Sequence, residues 1–180
     1  YMKKLQKHNG FTLLEIIVSL GVLAILGLVL SQTFISSVRT SGKGEITQEV
    51  VQNGNFAVEI ASRMILNSRG VTSSCAIAGV SSPDLVFTNI DGGVTTVGCV
   101  SDSGVLRVAS TSASSVSYLT SDALTLSGAT CEEALVFTCS IVGDANKKIH
   151  MSFSLMQKNA DARAFEKASS PFELTITTRN

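Results

Sequence analysis

One carboxylate stands where an apolar chain has least use for it. From Phe11 to Leu30 the sequence runs twenty residues with Glu15 as the only ionisable side chain. At 1.5 Å per residue such a run makes roughly 30 Å of helix, the thickness of a bilayer's hydrocarbon core. An acidic residue at the middle of a membrane helix costs about 2.5–3.5 kcal/mol on insertion scales, and less nearer the interface. A plain anchor has no use for Glu15, so the residue is expected to meet a counter-charge within the membrane. A cut between Gly10 and Phe11 would create one. The new ammonium at Phe11, on the same chain or on a neighbour, lies four positions from the carboxylate and is its natural partner.

The other residue types capable of chemistry are sparse. Cys75, Cys99, Cys131 and Cys139 all follow the apolar run. An even number in an exported domain reads as two disulfides with three possible pairings, and sequence proximity favours Cys75–Cys99 with Cys131–Cys139. A zinc site is the rival. It lacks a C-x-x-C pair and has only His150 beyond the leader, so no metal and no cofactor is expected. His150, between Ile149 and Met151, reads as a strand residue and not as the base of a nucleophilic triad. Glu132 and Glu133, read as neighbours on a strand, would point to opposite faces and make a poor acid/base couple. No phosphate-binding, dinucleotide or calcium-loop pattern is present. The reading is of a protein that is not an enzyme.

The elements that position these residues follow in order. Lys3, Lys4 and Lys7 precede the apolar run and no acid does. The N-terminus is therefore expected to stay cytoplasmic, with everything after Leu30 exported. Tyr1 ahead of Met2 reads as a truncated or alternative start. Formal charge is zero, and removal of the basic leader would leave 11 basic against 14 acidic residues. No Lys/Arg cluster indicates a nucleic-acid surface. An ordinary secretory signal would need a small-x-small cleavage site after the run, and Val29 to Phe34 offers none.

Beyond the run, charges at helical rhythm predict that the helix continues. Phe56, Ile60 and Met64 repeat at four-residue intervals, as do Ala57, Ala61 and Ile65, which together give one broad apolar face for a core. Glu59 and Arg63 form an i, i+4 pair beside it. Gly42, Gly44 and Gly54 weaken the helix, so a soft or bent place is expected near Ser41–Gly44, a firmer helix from Glu45 to Ser68, and a stop at Gly70. The composition then turns to Ser, Thr, Val and Gly. Strands are expected at 85–89, 95–100, 105–109, 116–119, 123–126, 135–142, 149–155 and 172–177, separated by turn signals such as Asp91-Gly92-Gly93. The stretch 157–170 reads as a polar loop. The fold class is α+β: a long N-terminal helix, embedded in membrane in its first half and amphipathic in its second, packed on an antiparallel sheet with which it makes a single core. The expected organisation is a removable leader at 1–10, a membrane helix at 11–38 and one exported domain at 39–180, with its helix at about 45–68 and its β-rich part at 71–180.

A short basic leader, the step Gly10 | Phe11-Thr12-Leu13-Leu14-Glu15 and a long apolar helix together resemble the N-terminal signature of type IV pilins and pseudopilins. The resemblance implies a pilin fold and a prepilin peptidase that cuts after Gly10 and methylates the Phe11 amine. It implies that Glu15 then meets the N-terminus of an adjacent subunit as a filament grows. Other pilin-like subunits and an inner-membrane assembly platform are the implied partners. Later stretches narrow the likeness to minor pilins and J-type minor pseudopilins: Gln52-Asn53-Gly54-Asn55-Phe56, Tyr118-Leu119-Thr120-Ser121-Asp122-Ala123-Leu124, Ala134-Leu135-Val136-Phe137 and the final Thr178-Arg179-Asn180. Two departures point away from a bulk shaft subunit. The membrane helix has no proline, and no cysteine pair frames the last loop. The expected role is a minor subunit that initiates, caps or inserts in a type IV pilus-like filament of a pilus, type II secretion or competence system. The alternative is a filament-tip or membrane-anchored binding protein, an adhesin or a receptor for DNA or another substrate. The expected location is the cytoplasmic membrane, crossed once with the N-terminus inside, and then a filament at the cell surface.

Overall fold

In the computed structural model, the described residues are 12–72, 81–113, 115–142, 146–158 and 168–178. Helix α1 (Leu13–Leu66) takes up the first third of the chain. Contacts divide the protein into two compact units, one ending at Ser41 and the other beginning at Gly42.

In the first unit the large apolar side chains from Leu13 to Val38 are exposed. A stretch of α1 is long and apolar enough to cross a membrane. Ser19 donates its hydroxyl to the Glu15 carbonyl at 2.7 Å, Ser31 to Gly27 at 2.8 Å and Thr33 to Leu30 at 2.8 Å. Hydroxyls bonded to their own helix need no water, which is what a helix in lipid requires. Gly42 and Gly44 do not interrupt the helix, which passes through Ser41–Gly44.

Among its described residues the second unit holds the end of α1 and ten strands: β1 (Gly70–Val71), β2 (Ser81–Ser82), β3 (Asp84–Thr88), β4 (Val94–Asp102), β5 (Val105–Ser112), β6 (Ser115–Tyr118), β7 (Leu124–Leu126), β8 (Leu135–Val142), β9 (Asn146–Gln157) and β10 (Ser169–Thr178). One four-residue helix, α2 (Cys131–Ala134), precedes β8. All eight expected strands are found, and the pairings are antiparallel. They form two sheets where one was expected. The first has the order β1-β3-β4-β5-β6, and the second β10-β9-β8-β2 with β7 also on β9. β9 is long enough to pair with β8 along Asn146–Phe153 and with β7 along Leu155–Gln157. One hydrophobic cluster nevertheless joins both sheets to the helix, with Leu85, Phe87 and Val97 from the first sheet and Phe137, Met151 and Leu155 from the second.

The helix face in that core is narrower than the sequence suggests. Val50, Ala57, Ala61 and Ile65 are fully buried. Phe56, one position from Ala57 and so rotated about 100° around the helix, is 51% exposed. Gly54 lies on the buried line, where a Cβ would come within 2.1 Å of the Phe172 ring. The glycine that costs helix propensity is thus what lets α1 approach β10. The helix ends at Leu66, short of the expected Ser68, and Gly70 opens β1 instead of capping the helix. Of the loop expected at 157–170, residues 159–167 lie outside the described residues.

A candidate assembly site at the helix start

The first turn of α1 is built by Thr12. Its carbonyl accepts the N–H groups of Glu15 at 3.1 Å and Ile16 at 3.2 Å, and its hydroxyl accepts the Glu15 N–H at 3.3 Å. Thr12 is therefore the helix cap and Glu15 the third helical position, the Thr-x-x-Glu spacing of a capping box. In a complete box the glutamate reaches back to the N–H of the cap. Here the Glu15 carboxylate makes no hydrogen bond or ion pair to any described residue, and its side chain is exposed. Between Leu13 and Leu30 the polar side chains are Glu15 and Ser19 alone, and Ser19 is bonded within the helix. Glu15 is left as the one polar side chain of the run without a partner among the described residues. The capping spacing is legible in the sequence, and it sets the Glu15 carboxylate at the positive end of the helix dipole, a local use besides any contact with a neighbour. Gly10 and Phe11, the other two expected site residues, lie outside the described residues.

The pattern of the prokaryotic N-terminal methylation motif matches residues 5–31. This N-terminus is that of a type IV pilin-like chain. No curated protein and no solved structure matches it. The matched segment spans the end of the leader with Lys7, the Gly10-Phe11 step, Glu15 and the whole apolar run. It implies processing by a prepilin peptidase and assembly with other pilin-like subunits. Together with a helix long enough to cross a membrane, it points to a membrane-anchored chain. The long helix followed by antiparallel sheets is the α+β arrangement of a pilin fold.

Two stretches of the pilin-like domain that carried the narrower resemblance touch each other. The Asn53 side-chain oxygen accepts the N–H of Ser121 at 3.0 Å, and the Asn53 amide donates to the Glu49 carbonyl at 3.0 Å. Thr120, beside Ser121, is buried. Its hydroxyl accepts the Val108 N–H at 3.2 Å, and its carbonyl accepts both Nε (3.0 Å) and Nη2 of Arg107. These polar residues pin the helix to the turn before β7.

The cysteines pair differently from the expectation based on proximity. Cys99 on β4 is bonded to Cys131 at the start of α2, with Cα atoms 5.4 Å apart. This overturns both Cys75–Cys99 and Cys131–Cys139. The reason is topological: β4 belongs to one sheet and α2 leads into the other, so the bond joins segments that folding brings together. Cys139 is also in a disulfide, and Cys75 lies outside the described residues. Sulfurs bonded to sulfur are not zinc ligands, and the described residues hold no cluster of three metal-ligating side chains.

Glu132 and Glu133 lie on α2, not on a strand, and the Glu133 carboxylate accepts the Ala129 N–H at 3.2 Å. Its use is to hold the turn before the helix. His150 faces Thr175 across the β9–β10 pair, Nδ1 to hydroxyl 3.1 Å. A cavity of about 650 Å³ between the end of α1 and the β3–β4 turn is lined by Ile60, Met64 and Ile90, with Arg63, Asn67 and Asp91 among its polar groups. No histidine and no cysteine lines that cavity.

Proposed function

We propose that this chain is a minor pilin or pseudopilin, a structural subunit that initiates, caps or inserts in a type IV pilus-like filament. On this reading a prepilin peptidase removes residues 1–10 and methylates Phe11. The subunit waits in the cytoplasmic membrane on residues 11–38, with its N-terminus inside and 39–180 exported. It then joins other subunits through the helix. The observation that carries the proposal is the coincidence of the methylation motif with an apolar run in which Glu15 is the one polar side chain without a partner among the described residues. The two departures from bulk shaft subunits, no proline in the membrane helix and no cysteine pair around the last loop, support the minor role.

The test is the mature N-terminus. Mass spectrometry of the N-terminal peptide, from cells holding a prepilin peptidase, should find Phe11 first and its amine methylated. A mature end beyond Leu30, or an intact leader in such cells, would overturn the proposal.

A further inference from the structure

The cysteine pairing of the fold is not the one that an unfolded chain makes first. Cys99 is bonded to Cys131, 32 residues further on. Cys139 is disulfide-bonded as well, and Cys75 is the remaining cysteine of the sequence. Cys75 lies outside the described residues and counts here only by its place in the chain. By elimination the connectivity is nested, with a Cys75–Cys139 bond enclosing Cys99–Cys131. The consecutive alternative, Cys75 with Cys99 and Cys131 with Cys139, closes shorter loops. The chance that an unfolded chain closes a loop falls as about the 3/2 power of its length. Consecutive pairing closes loops of about 24 and about 8 residues, against 32 for Cys99–Cys131 and a similar effective length around it, so the unfolded chain favours it by roughly tenfold.

Only folding selects the nested pairing. Cys99 is on β4 in the first sheet, and Cys131 opens α2, which leads into β8 of the second. The two come within reach once both sheets share the core. Chain order adds to the bias. If residues 39–180 are exported behind the membrane helix, Cys75 and Cys99 emerge 32 residues ahead of Cys131. The finished fold also resists correction. Cys139 is 4% exposed and sits in β8 opposite Ile149 of β9. Thiol–disulfide exchange needs access to the sulfur, so any reshuffling has to precede the packing of β8.

We propose that the exported domain is a client of an extracytoplasmic thiol–disulfide isomerase, which converts the consecutive pairing to the nested one. An oxidant of the disulfide class first makes Cys75–Cys99 and Cys131–Cys139, taking two electrons for each bond. The isomerase thiolate then attacks the Cys75 sulfur. The Cys75–Cys99 bond breaks, Cys75 is held in a mixed disulfide and Cys99 leaves as a thiolate. Cys99 attacks the Cys131 sulfur, which forms the observed bond and releases the Cys139 thiolate. Cys139 in turn attacks the Cys75 sulfur of the mixed disulfide, closing Cys75–Cys139 and freeing the isomerase thiolate. Two bonds break and two form within the chain, so the exchange consumes no oxidant and no reductant. This inference rests on the export of residues 39–180 in the proposed function, and not on the filament role.

The test expresses the full chain in cells that carry the oxidant and either hold or lack the isomerase, followed by alkylation and non-reducing peptide mapping. With the isomerase, Cys99–Cys131 should dominate. Without it, that cross-link should fall about tenfold and be replaced by Cys75–Cys99 and Cys131–Cys139. Cys75→Ser/Cys139→Ser removes the wrong partners, so its Cys99–Cys131 bond should form equally in both cells. The proposal is overturned if that double variant depends on the isomerase as the wild type does. Nested pairing of the wild type, complete in both cells, overturns this inference and leaves export standing. Cysteines alkylated as free thiols in both cells would overturn the export reading, and this inference with it.

Discussion

Glu15→Gln separates an assembly contact from a helix cap by magnitude. The substitution keeps the shape and much of the hydrogen-bonding capacity of the side chain and removes its charge. If Glu15 serves only its own helix, the loss is its interaction with the positive end of the dipole at the third helical position. That is about 0.3–1 kcal/mol, or at most roughly fivefold in any equilibrium. The cap bond from Thr12 to the Glu15 N–H uses the backbone and is untouched. If instead the carboxylate meets a neighbour's Phe11 ammonium, the variant leaves that ammonium buried without its counter-charge. Removing one half of a buried pair costs about 3–5 kcal/mol, which is on the order of a hundredfold to several thousandfold. The two ranges do not overlap. The assay compares this protein in sheared filaments and in membranes, for wild type and variant. Leader removal should be normal in both, since cleavage precedes any filament contact. Thr12→Val is the matched control: it removes the cap hydroxyl, at a cost of about 1 kcal/mol, and leaves the charge. Filament incorporation of Glu15→Gln within fivefold of wild type would refute the assembly contact and leave Glu15 as a helix-end residue.

Two further predictions concern the second unit. Gly54→Ala should destabilise the full chain by about 1–3 kcal/mol despite the better helix former, because the new Cβ meets a Phe172 ring already stacked on Phe153 at 5.3 Å. Gly44→Ala meets nothing within 4 Å and should be neutral or stabilising by up to about 1 kcal/mol, so urea unfolding in detergent that ranks the two the other way would contradict the packing. Non-reducing peptide mapping should recover a Cys99–Cys131 cross-link and no free thiol, which by elimination joins Cys75 to Cys139; two alkylatable cysteines in the unreduced protein would count against this.

What the sequence disclosed depended on how local the signal was. The membrane helix and Glu15 were legible because twenty apolar residues isolate a single charge. The strands were legible where burial alternates, as at Phe153 and Leu155 on β9. β1, β2 and α2 are too short to carry any period. The division into two sheets rests on pairings such as that of β7 with β9, which no local pattern specifies. Proximity failed for the cysteines because chain separation does not fix the distance between strands in different sheets. Gly54 was legible only in part, for a related reason. Its helix explains what the glycine costs, but only Phe172, near the other end of the chain, explains why it is there.

The position of Glu15 also gives assembly a direction on the proposed reading. A lone subunit in the bilayer holds a carboxylate that nothing in the described chain satisfies. Burial near the membrane interface makes that a cost below the roughly 2.5–3.5 kcal/mol of a mid-membrane acid, small enough for the helix to insert and large enough to matter. Where the chain's own Phe11 ammonium does not already meet it, pairing with a neighbour's removes the cost from both groups at once, so the free subunit is raised in energy and the assembled one is not. A purely apolar helix would lack this difference and would be as content alone as in a filament. Glu15→Gln should therefore shift both sides of the equilibrium. It should make the free membrane form slightly more favourable and the filament form much less so. A helix-capping role predicts neither change beyond about 1 kcal/mol.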